Sequence, residues 1–244
     1  MAIQVLTQAK LWVDAWDLSG DMNKIAMGYG ADLLDATSFA GGGGKARKGG
    51  LKSTSLALEG FWSGGTDLVD EVLFNRIGLA SVPVTLSPGA GLAGDPAFSF
   101  LAGFAQYKPG ANDGDMLAFA LDAESSDDAL IRGILLRNSV ETAAASGAAF
   151  AQGLVGSGQK LWATLHVLAV AGGGTWTFKV QSDDTGGFPS PIDRITFAAV
   201  TAKGSQWAVP LAGPIASDNQ WRANWSVAGG SGNSITFAMF MGIF

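Results

Sequence analysis

From Leu11 to Leu18 apolar and polar positions alternate, with Leu11, Val13 and Ala15 on one face and Trp12, Asp14 and Trp16 on the other. A period of two predicts a half-buried β-strand over residues 11–18. The turn-forming run Ser19-Gly20-Asp21-Met22-Asn23 closes it. A long strand is predicted over 24–37, and a third, over 53–62, returns along it. One helix stands out. Thr66 reads as its N-cap, Asp67, Asp70 and Glu71 place negative charge at its positive start, and Leu68, Val72, Leu73 and Ile77 recur at helical spacing. Arg76 falls in its last turn and Gly78 stops it.

Three more strands are predicted over 82–86, 98–107 and 116–124. After the polar break Ser125-Ser126-Asp127-Asp128 the pattern holds only strands, over 131–137, 148–154, 161–170, 175–181, 194–201, 206–209, 221–227 and 234–242. Trp176, Phe178 and Val180 face one way in the fourth of these, and Thr175, Thr177 and Lys179 the other. Gly, Pro or Asp turns at this spacing suit a β-sandwich or jelly roll. The expected fold class is mainly β. A sheet or barrel with one short helix spans 1–127, and a jelly-roll-like sandwich spans 128–244.

The stretch 39–52 interrupts the pattern. Gly41, Gly42, Gly43 and Gly44 run together, then Lys45, Arg47 and Lys48 precede Gly49, Gly50 and Lys52, with no acid between Asp35 and Glu59. Consecutive glycines lose the most backbone entropy on ordering, so a long, mobile, cationic loop between two strands is predicted. A loop of that length in a compact domain is functional or disordered. The expected role is an arm that orders on a neighbouring copy.

Composition narrows the function. The chain has 244 residues, 35 glycines, one His and no Cys, which removes disulfides, thiolate metal sites and Cys nucleophiles together. Its first residues lack the basic and apolar regions of a signal peptide, and no apolar run approaches the ~20 residues of a membrane span. The chain is therefore expected to be made in the cytoplasm and to stay soluble until it assembles, with no membrane partner. Up to residue 127 there are 8 Lys and Arg against 15 Asp and Glu, and beyond it 7 against 6. An acidic front half would repel DNA, which suits a conduit better than a grip.

Candidate chemistry is sparse. Gly44-Lys45 has the flavour of a phosphate loop, but the Walker spacing puts Phe39 where Gly is needed and Ala46 where Ser or Thr must reach Mg²⁺. His166, on a strand beside Trp162 and Thr164, reads as a partly buried histidine on a sheet face. Asp113/Asp115 and Asp183/Asp184 lack the calcium-loop pattern and read as solvated turn residues. No cofactor, metal or catalytic set is expected. Trp221 and Trp225, which flank Arg222, read as core and interface packing, with a surface that stacks on glycan as the alternative.

The opening Leu-Trp-Val-Asp-Ala-Trp-Asp-Leu-Ser-Gly-Asp-Met-Asn-Lys-Ile resembles the start of major tail (tail tube) proteins of long-tailed bacteriophages. So do Asp32-Leu33-Leu34-Asp35-Ala36-Thr37-Ser38-Phe39, the Gly/Lys loop, and residues 53–62 leading into a short helix. The resemblance covers roughly residues 1–127, with the second half similar to an outer sandwich that some such proteins carry. It implies a virion protein, not an enzyme, that self-assembles into stacked rings, most often hexameric, around a DNA conduit and alongside other tail proteins; the size of the second half would instead suit a trimer. It also implies that residues 41–50 reach the adjacent ring. The alternative is a capsid decoration or minor tail protein whose sandwich binds host glycan.

Overall fold

The computed structural model describes residues 8–37, 44–127 and 130–244. Its strands are β1 (Lys10–Val13), β2 (Trp16–Asp17), β3 (Met22–Asp35), β4 (Arg47–Phe61), β5 (Val82–Ser87), β6 (Pro96–Gly110), β7 (Ala118–Ser125), β8 (Ile131–Glu141) and β9 (Ala145–Ser146). They continue through β10 (Phe150–Ala151), β11 (Lys160–Ala171), β12 (Thr175–Asp183), β13 (Ile192–Thr196), β14 (Gly204–Trp207), β15 (Leu211–Ala212), β16 (Gln220–Ala228) and β17 (Ser234–Ile243). One helix, α1 (Val69–Phe74), joins β4 to β5. The mainly-β class with a single short helix is as expected.

Contacts divide the chain into two compact units that interleave in sequence, 1–20, 82–99 and 131–244 in one, 21–81 and 100–130 in the other. A boundary near residue 127 would instead make them successive. The reason lies in β1 and β5, whose buried side chains belong to the core built by β8, β11 and β17.

In the first unit β10, β16, β12 and β13 form one sheet, with β9 on β16. It packs face to face with β8, β17 and β11. Trp176, Phe178 and Val180 from β12 and Trp221, Ala223 and Trp225 from β16 meet Leu161, Leu165, Phe237 and Met239 from the opposing sheet. Phe237 sits at the centre, 4.6 Å from the Phe178 ring and 5.5 Å from Trp225, both edge-on. Edge-to-face pairs add to plain area burial because the positive ring edge meets the negative ring face.

The opposing sheet has a second buried face. Strands β14, β11, β17, β8, the first residues of β6, β5, β1 and β2 follow in order, and β2 comes back against β11. Trp12, Ala97, Leu135, Trp162, Ala238 and Phe240 fill the interior. Residues 11–18 are therefore a hairpin, where one strand was predicted. Asp14 takes φ 52°, its N–H donates to the Pro83 carbonyl at 2.9 Å, and the chain reverses so that Leu11, Trp12 and Val13 are all buried.

Within that interior lies His166, fully buried. Its Nδ1 is 2.6 Å from the Asp14 carbonyl oxygen, which only accepts, so Nδ1 carries the proton and Nε2 accepts from the Thr85 hydroxyl at 2.8 Å. Thr85 Oγ1 is 2.9 Å from Ser99 Oγ, itself 2.9 Å from Thr164 Oγ1. Three strands, β5, β6 and β11, and the β1–β2 turn are tied together at the centre of an apolar shell. Burial pushes the His166 pKa down to about 4, against weaker opposing pulls from the Asp14 carbonyl and charge.

A base whose pKa is depressed by folding costs stability as pH falls. Above the unfolded value both states are neutral; below it the unfolded chain takes a proton that the fold refuses. Stability should fall between roughly pH 6.5 and 4 by about 3 kcal/mol from this group alone, at ~1.4 kcal/mol per pKa unit. Urea midpoints at pH 7 and pH 4.5 should therefore differ more for the wild type than for His166→Gln. Equal differences would show that His166 does not titrate this way.

Candidate functional site

The second unit is built on an antiparallel sheet, β3-β4-β7 followed by residues 100–110 of β6. Alternation gives it two unlike faces. On one, Leu56, Leu58, Phe119, Leu121 and Ala123 are buried, and α1 covers them. The helix is tied there by Asp70, whose Oδ1 accepts from Trp62 Nε1 at 2.9 Å and from the Tyr107 hydroxyl at 2.8 Å. Burial first, and the Asp70 carboxylate next, hold the Tyr107 phenol above its ordinary pKa. The helix buries Val69, Val72 and Leu73.

The helix starts later than the sequence pattern predicts. Thr66 is not its cap; Leu68 is, with no side-chain capping bond. Asp67 adopts φ 60° and its N–H is taken by Glu71 Oε2 at 2.9 Å, so the chain has not yet entered helical geometry at 66–67. Gly78, at φ 82°, ends the turn that follows and donates its N–H to the Phe104 carbonyl.

The other face carries Lys24, Ala26, Gly28 and Gly30 from β3, opposite Glu59, Ala57, Ser55 and Ser53 from β4. Ala120, Asp122 and Glu124 continue the rows on β7, and Gln106 and Lys108 on β6. The β3 and β4 side chains here, with Asp122, Glu124, Gln106 and Lys108, are exposed. The surface is small-residued and polar, with three carboxylates against two ammonium groups, one pair of which (Lys24 and Glu59) forms a salt bridge.

Beyond β7 the hairpin continues alone. The β4–β7 pairing stops at Ser55, while β3 and β4 stay paired out to Asp35 and Arg47, with the Ala36 N–H bonding the Ala46 carbonyl at 2.9 Å. Of the stretch predicted as a loop, Arg47, Lys48, Gly49, Gly50 and Lys52 are strand residues instead. Cross-strand pairing with 31–35 supplies the bonds that glycine entropy opposes. Gly44 and Lys45 lie outside any strand, and Gly41, Gly42 and Gly43 are outside the described residues. The projecting part is exposed on both faces: Leu51 is 83 % exposed, Leu33 62 % and Leu34 58 %. Among the described strands β3 pairs only with β4, so its other edge is open along its length.

The remaining candidates fall elsewhere. Trp221 and Trp225 are buried in the sandwich, with Nε1 groups donating to the Gly153 and Ala143 carbonyls. They point away from solvent and cannot stack on glycan. Arg222 faces outward, over the Phe188 ring at 4.2 Å and bonded to Gln181 Oε1. Asp113 and Asp115 are exposed turn residues. Asp183 is not solvated but buried, accepting the Thr185 and Ser190 N–H groups. No three His, Asp or Glu converge among the described residues, and no described helix is long and apolar enough to cross a membrane. What the sequence reading missed is the two-faced sheet. The alternation Lys24, Ala26, Gly28, Gly30 against Ile25, Met27, Tyr29 carried that signal.

No family model and no curated protein matches the chain. It is similar to a solved structure titled as the virion of a native gene transfer agent particle, at 14% identity over 52% of this chain and 97% of that one, with a TM-score of 0.41. It is similar to the Dit protein of SPP1, titled a hub of the adsorption apparatus in phages infecting Gram-positive hosts, at 12% identity over 98% and 100%, TM-score 0.41. A chain from the sheath–tube complex of an extracellular contractile injection system matches at 18% identity over 55% and 92%, TM-score 0.41. At such identities and scores no function is read from the likeness.

Asp70 is the tie of this site. Replacing it with Ala strands the Trp62 and Tyr107 donors and should destabilise the protein by roughly 1–3 kcal/mol in urea titration, since a buried donor without an acceptor costs its desolvation. Tyr107→Phe, which removes a donor along with its need, should cost less. An Asp70→Ala variant as stable as the wild type would contradict the tie.

Proposed function

We propose that this chain is a structural subunit of a phage-type tail that self-assembles into rings through the β3–β4 sheet, with DNA passing along the small-residued face and no enzymatic role. The observation that carries the reading is the open, 14-residue edge of β3 on a hairpin exposed on both faces. An edge this long templates pairing with another chain, and proteins that stay monomeric shorten, bulge or cover such edges. The second edge needed for a closed ring is offered by β6, which beyond Phe104 pairs with β7 alone among the described strands. A β3-to-β6 contact is heterologous and closes into a ring at a fixed copy number; the sequence resemblance implies six.

The face with Asp122 and Glu124 suits the inside. Gly28, Gly30, Ser53 and Ala57 leave room, and the carboxylate excess gives phosphates nothing to grip. Lys45, Arg47, Lys48 and Lys52, on the projecting hairpin, then meet an acidic neighbour, an attraction that salt weakens. The sandwich of the first unit is carried by each subunit as a separate β module. Its buried tryptophans leave the glycan-binding alternative without its stacking surface.

Negative-stain images of the concentrated protein should show rings or hollow tubes, and replacing those four cations with Ser should thin the assemblies while the variant stays folded. A chain that remains monomeric at high concentration would overturn the reading.

A further inference from the structure

The second unit carries another exposed apolar surface, on the last residue of α1 and the turn that follows it. Phe74 is 68 % exposed, Leu79 50 % and Ile77 39 %. Glu71, one turn before Phe74 on α1, is exposed, as is Asp67 just ahead of the helix, and no basic residue lies in the last turn of α1. This is an acidic face with an aromatic centre. The projecting hairpin is its counterpart, with Leu33, Leu34 and Leu51 exposed and with Lys45, Arg47, Lys48 and Lys52 outnumbering Asp32 and Asp35 by two. Both surfaces leave apolar area in water, and their charges are opposite.

One copy cannot join them. Asp70 anchors α1 to Trp62, just past the end of β4 opposite the hairpin turn. From Trp62 back to Leu51 the chain takes eleven residue steps, roughly 36 Å of extended strand at ~3.3 Å per residue. The match is therefore between copies, one copy's hairpin on the next copy's helix. Such a contact uses two different surfaces, so it can repeat from copy to copy.

We infer that the Glu71–Phe74 face of α1 is the landing site, on a second copy of this chain, for the Leu33/Leu34/Leu51 hairpin. This rests on the self-assembly reading and adds to it the place where the arm lands. Apolar burial would supply the hold, and the opposed charges the orientation.

The chain has no cysteine, so introduced thiols report one contact. Leu51→Cys and Phe74→Cys variants, purified separately, would be mixed under assembling conditions, oxidised, and read on a non-reducing gel. The mixture should give several-fold more cross-linked dimer than Leu51→Cys mixed with Val209→Cys, whose thiol is exposed in the other unit. If Phe74→Cys folds poorly, Leu79→Cys gives the same readout. Assembly that sediments normally yet cross-links no better than the Val209→Cys control overturns the landing site and leaves self-assembly standing. Failure of the wild type to sediment overturns both.

Discussion

A strand edge is a row of backbone donors and acceptors that must find partners, and among the described residues no strand covers the outer edge of the fourteen-residue β3. Water can satisfy those groups one by one, but another strand satisfies them together. Much of the second unit follows from that constraint. The exposed face is kept to Gly, Ala and Ser, with charges at intervals. The opposite face is covered by a helix held through a single carboxylate, Asp70. The unit has the form of a component rather than a finished domain.

The first unit shows the contrary arrangement. Phe237, Phe178 and Trp225 interlock between two sheets, and a second interior encloses His166 with its hydroxyl partners. Each apolar face there has a counterpart within the same copy, and tryptophan indole groups on β16 end on backbone carbonyls.

Several strands were legible because period two is a direct consequence of one-sided burial. Trp176, Phe178 and Val180 face inward as their spacing says, and Trp221 and Trp225 lie in the core, as the plainer reading of them expects. Residues 11–18 defeated it, since an alternating run reads alike whether the chain runs straight or reverses at Asp14. The helix start was misplaced because Glu71 bonds the Asp67 N–H ahead of the helix, a contact that no propensity encodes. The hairpin was read as a loop from Gly49 and Gly50, whose poor strand propensity is overridden by pairing with 31–35. Interleaving of the two units depends on β1, β2 and β5 finding β8 and β11 across a long stretch of sequence, which local pattern does not carry.

Amide hydrogen exchange along residues 22–35, followed from dilute to concentrated protein, tests the central claim most directly. If another copy covers the β3 edge, protection of those amides should rise steeply with concentration, while β12, already paired on both sides, should not change. Exchange along β3 that is the same at every concentration would contradict the account.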